Sequence, residues 1–138
     1  MDRAGNTKWL KGMYLYTAAG AGLFGVAMLA APGRVVVVFR MPEQDPIFFG
    51  LVASAYVAFG LVSLLGLRSP LRFAPILLLQ LLYKSVWMVG VFIPLTLRGQ
   101  ISAYRLLLAV VFASYIVGDL IAIPFRDLLS TESRAGEL

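Results

Sequence analysis

Cysteine and histidine are both absent from the 138 residues. Without thiols there are no disulfides and no sulfur redox centre. Without imidazole the commonest metal ligand and the usual general base near neutral pH are also missing. Charge is scarce as well: 14% of the residues are Asp, Glu, Lys or Arg, where a soluble domain typically carries about 25%. With 60% hydrophobic residues, the chain has too little polar surface for water and belongs in a membrane. Its formal charge of +5 does not describe a nucleic-acid partner. The Lys and Arg residues gather at the ends of apolar segments, where long cationic side chains reach lipid headgroups, and no basic surface is left over.

What remains is a pattern of four long apolar segments, which predicts an all-α integral membrane four-helix bundle folded as antiparallel hairpins. A polar, basic N-terminus (1–12) precedes a single transmembrane domain (13–125), and a polar, frayed tail (126–138) follows it. The expected spans are 13–31, 47–67, 73–97 and 106–125, long enough for a hydrocarbon core of about 30 Å. Trp9 stands where an interfacial aromatic anchor would. A positive start before an apolar run also opens signal peptides, but Met28-Leu29-Ala30-Ala31-Pro32 offers no A-x-A cleavage site.

In the first span Ala18 and Gly22, and Ala21 and Gly25, are spaced four apart, giving a face that lets a neighbouring backbone approach. The second span is likewise rich in small residues. Its Ser54 and Ser63 are expected to bond back to their own helix carbonyls. Between the two spans the apolar run 35–39 is too short to cross and too apolar to float free, so it should lie in the interface or against the bundle mouth. Asp45 and Glu43 precede Pro46, as acids favour a helix start and proline its first position. These acids at the mouth could alternatively hold a cation or ligand.

The third span carries the chemistry. Lys84 lies near its middle, and a lone ammonium at the centre of a lipid-facing helix is disfavoured by ~2.5–3.5 kcal/mol on insertion scales, so protein or water should receive it. Gln80, Tyr83, Lys84 and Trp87 follow the three-and-four spacing of one helical face, which should turn inward. Pro94 should free the carbonyl of Gly90 and bend the outer end. In the fourth span Tyr104, Leu108, Val111, Tyr115 and Asp119 share a face. Antiparallel packing places Asp119 nearer the depth of Gln80 than of Lys84. Side chains lean toward their own helix N-terminus, so Lys84 and Asp119 can still meet.

Serine nucleophiles would have only Lys84 or Asp119 as base, outside any recognisable motif, and a carboxylate metal centre would need more acids than the single Asp119 within a span. The five methionines follow no haem-ligand pattern. No catalytic residue, cofactor or metal site is therefore expected. The candidate ligand-binding set is Gln80, Tyr83, Lys84, Trp87, Tyr115 and Asp119. Two functions of different class follow: binding or transport of a small amphiphile in a polar pocket, with an anionic group at Lys84, or an accessory subunit of a membrane complex. In the second, Lys84 and Asp119 neutralise each other, and the small-residue faces of the first two spans dock a partner. Expected partners are membrane lipids, such an amphiphile, and a second copy or another membrane subunit. Seven cations on the side of the termini (Arg3, Lys8, Lys11, Arg68, Arg72, Arg126, Arg134) face four on the other (Arg34, Arg40, Arg98, Arg105), which favours both termini in the cytoplasm of a plasma-membrane protein.

A first span closing on Pro32, a connection with a Met41-Pro42 step, a small-residue second span entered at Phe48-Phe49-Gly50 and closed at Gly66-Leu67-Arg68-Ser69-Pro70, and then two more spans resemble the small four-helix membrane proteins of the DoxX-like group. The resemblance covers most of residues 13–125. It implies a four-helix membrane fold and, as in some members, a role beside quinone-linked oxidoreductase complexes or in assembly. The absence of cysteine gives sulfur chemistry no support here, and no functional residue carries over.

Overall fold

A computed structural model describes residues 3–130. Every regular element among them is helical, and four helices are long and apolar enough to cross a membrane. Span 1 is Thr7–Ala30, span 2 Pro46–Arg68, span 3 Ala74–Leu97 and span 4 Ala103–Ala122. The expected tail lies, from residue 131 on, outside the described residues.

Spans 1 and 4 differ most from the sequence expectation, span 4 starting at Ala103 rather than at residue 106. The first helix begins at Arg3, well before residue 13. Leu10, Tyr14 and Thr17 are all fully buried and follow helical spacing, so the inward face starts earlier than Lys8 and Lys11 on the other faces suggest. The fourth span ends at Ala122, and Ile123 is extended at φ −71° and ψ 125°. Pro124 imposes this by disfavouring the helical region for the residue before it, and a short helix, Phe125–Leu129, follows.

Spans 1 and 2 form the tightest seam. A Cβ added at Gly22 would lie 3.2 Å from the Gly60 Cα, and one at Gly25 would lie 2.8 Å from the Ala53 carbonyl oxygen. Within lipid, helices gain little from burying apolar surface, so close backbone approach of this kind supplies dispersion contact that bulky residues would forbid. Span 3 packs on span 4 and less extensively on span 2. Tyr14 ties span 1 to the second hairpin link, its hydroxyl donating to the Pro70 carbonyl at 2.6 Å.

The run 35–39 forms part of a short helix, Pro32–Val38. It folds onto the bundle mouth: Val35 is buried with Met28, Phe49 and Ala53, and Phe39 meets Phe24 edge-on at 5.2 Å between ring centres. Asp45 caps span 2, accepting from the backbone N–H groups of Ile47 and Phe48 at 2.9 and 3.0 Å. This accounts for that acid without any ligand.

Two helices widen locally. Ala18–Gly22 and Met88–Phe92 are single π-helical turns. The second stands just before Pro94, whose missing N–H and bulky ring a regular turn cannot accommodate. At the first, span 1 changes neighbours. Its inner part, through Thr17, packs on both span 2 and span 4, while Leu23–Ala30 packs chiefly on span 2 and on the short mouth helix. The halves of spans 1 and 4 farther from the chain termini, here called outer, are thereby held apart.

Candidate functional site

The separation creates a cavity of about 590 Å³ in the half of the bundle away from the chain termini. Span 1 contributes Tyr16, Ala19, Gly20, Ala21 and Phe24, the mouth segment Phe39 and Met41, and span 2 Tyr56. Span 4 contributes Tyr104, Leu107, Leu108, Val111, Phe112 and Tyr115. Lys84 is the one charged residue among the lining residues.

Lys84 is 1% exposed. Its ammonium donates to the Tyr83 hydroxyl at 2.6 Å and stands 4.4, 4.9 and 4.4 Å from the ring centres of Tyr83, Phe112 and Tyr115. Ring faces stabilise a desolvated cation by up to ~2 kcal/mol each, so the cage offsets part of the cost of holding charge at mid-membrane. The cage is itself held in place. Tyr115 donates to the Tyr16 carbonyl at 3.0 Å, and a Cβ on Gly20 would run into its hydroxyl. Trp87 braces Phe112 edge-on at 5.0 Å.

Asp119 makes no direct ion pair with this cation, contrary to the expected meeting, although it lies near enough to act on it electrostatically. Among the described residues no carboxylate oxygen comes within 4.0 Å of the Lys84 ammonium. The Gln80 amide takes the acid instead, donating to the two Asp119 oxygens at 3.3 and 3.0 Å, while Gln80 Oε1 accepts from the Thr17 hydroxyl at 3.2 Å. The physical reason is register: Asp119 lies at the level of Gln80, as antiparallel packing requires, and one helical turn, about 6 Å, separates Gln80 from Lys84.

The six candidate residues thus divide. Lys84 and Tyr115 line the cavity, Tyr83 and Trp87 shape the cage from behind, and Gln80 and Asp119 form a separate buried network with Thr17. Sequence reasoning missed Thr17, which lies one turn beyond Met13 and Tyr14 on the buried face, and most of the aromatic lining. Phe112 was open to recognition, being three residues before Tyr115 on the face already assigned. Ser54 bonds back to the Gly50 carbonyl at 2.8 Å, as expected. Ser63 does not: its hydroxyl is buried with no hydrogen-bond partner. Gly22 and Gly25 of span 1 are turned toward Gly60 and Ala53 of span 2, while Ser54, Ala55 and Ala58 of span 2 are exposed. No protein-family model, curated protein or solved structure matches the chain.

Proposed function

We propose that the protein binds a small amphiphile in the cavity between spans 1 and 4, with an acidic group of the ligand placed at Lys84. One observation carries this reading: the single charged group on an otherwise apolar and aromatic wall is a cation with no described carboxylate oxygen within 4.0 Å. A bundle needing only a structural charge pair would place acid and base in contact, since an unpaired buried charge is costly. Here the acid has its own partners, and the base faces a volume within the ~300–1,000 Å³ range of small-molecule sites. Intramembrane ionisable residues mark ligand pathways more often than scaffolding. The reading places the protein in the plasma membrane with both termini cytoplasmic, so that the cavity lies in the half of the bundle toward the opposite face, and it keeps the DoxX-like resemblance as a likeness of pattern. The face of Gly22 and Gly25 is occupied by span 2 within the chain, so an accessory role would have to dock a partner on the exposed Ser54, Ala55 and Ala58 face of span 2 instead.

Native mass spectrometry of the protein released in mild detergent tests the proposal. The expected spectrum shows an acidic adduct on the wild-type chain that is lost from Lys84→Met, while the variant keeps its helical circular dichroism. An adduct equally abundant on a folded Lys84→Met chain would overturn the reading.

A further inference from the structure

The depth of Lys84 and the shape of the cavity narrow the class of ligand. From Tyr104 to Tyr115 the cavity follows about 16 Å of span 4, roughly half of a hydrocarbon core of ~30 Å. Lys84 lies beside Tyr115, at the inner end. A ligand reaching it must therefore carry its acid to mid-membrane. A phosphate head remains charged and stays at the interface. A lone carboxyl can take up a proton and enter hydrocarbon uncharged.

The wall also shows where such a molecule enters. Ala19 and Leu107 line the cavity and are nevertheless exposed, and they stand on the two helices whose outer halves are held apart. A hydrogen bond of 2.7 Å between the Tyr16 and Ser114 hydroxyls closes the gap at its inner end. Above that bond the cavity faces the flank of the bundle, where acyl chains lie.

Resting on the proposed amphiphile site, we infer that its ligand is a long-chain, single-tailed carboxylic acid taken from the lipid phase through the gap between the outer halves of spans 1 and 4. The acid sits at Lys84, and the chain follows the Phe24, Leu107 and Val111 wall outward.

Trp87, in contact with the cage ring Phe112, is the reporter. Trp9 and Trp87 are the two tryptophans, so Trp9→Phe leaves a single emitter in the full-length protein in phosphatidylcholine vesicles. Addition of 9,10-dibromostearic acid is expected to quench Trp87 saturably. Unlabelled stearic acid should reverse the quenching, and stearyl alcohol, phosphatidic acid or hexanoic acid should each be at least tenfold weaker competitors. Equal competition by phosphatidic or hexanoic acid would overturn the ligand class while leaving an acid site at Lys84 in place. Equal competition by stearyl alcohol, or quenching that no acid reverses, would remove the acid site itself. Narrowing the gap with Ala19→Leu and Val111→Phe should slow the onset of quenching at least tenfold, whereas Met41→Phe at the mouth should not. The reverse result would overturn the lateral route.

Discussion

Span 1 has two neighbours and treats them differently. Against span 2 it offers Gly22 and Gly25, and the backbones meet with no side chain between them. Against span 4 only its inner part packs closely, and beyond the widened turn at Ala18–Gly22 the two helices enclose a cavity. Both seams are built from small residues on the span 1 side. The difference lies opposite: span 2 answers with Gly60 and Ala53, while span 4 answers with the bulkier Tyr115, Phe112 and Leu108, and the rings of Tyr115 and Phe112 receive a cation. A small residue is therefore a contact or a vacancy depending on what faces it.

The contrast is broken most severely at Gly60. A Cβ there would lie 2.6 Å from the Gly22 Cα, so Gly60→Leu must separate the backbones. It is expected to cost about 3 kcal/mol, the upper end of ordinary overpacking, read as a lowered midpoint of thermal unfolding in detergent. Gln80→Leu comes next. It strips Asp119 and Thr17 of their shared partner, and a buried polar group left unsatisfied costs ~1–3 kcal/mol. Because this network is separate from the cavity, the variant should still show saturable quenching by the brominated acid at temperatures where it is folded. Tyr14→Phe removes one tertiary bond, from span 1 to the Pro70 carbonyl in the link. Such bonds average about 0.6 kcal/mol within membranes, so steric trapping should find a loss near that value. Smallest is Ala19→Leu on the cavity side. It fills space rather than displacing backbone and should leave stability within ~0.5 kcal/mol, in contrast to Gly60→Leu.

Much of this was legible from local rules. The hairpin links, the small-residue faces, the cap at Asp45 and the inward turn of Gln80 and Lys84 each follow from spacing or from the chemistry of one or two residues. The depth of Asp119 followed from antiparallel counting. The choice of partner did not. One helical turn of register decides whether a carboxylate meets an amide or an ammonium, and neither Thr17 nor Gln80 announces that it will intervene. The cavity was still less visible, because it arises from the divergence of two helices at a widened turn. Tyr16, Phe24 and Tyr56 read alike in sequence whether they line a space or fill one.

The central claim is that Lys84 is kept for a ligand's acid rather than for Asp119. A carbon–nitrogen distance measured by solid-state NMR in lipid bilayers tests it most directly. With Lys8→Arg and Lys11→Arg, Lys84 is the remaining lysine, so a ¹⁵N label on lysine Nζ reports on it alone, and stearic acid can carry ¹³C at its carboxyl. The account predicts a separation of ~4 Å or less between that carbon and Lys84 Nζ. A Lys84 nitrogen coupled instead to the side-chain carboxyl carbon of Asp119, with no contact to the added acid, would contradict it.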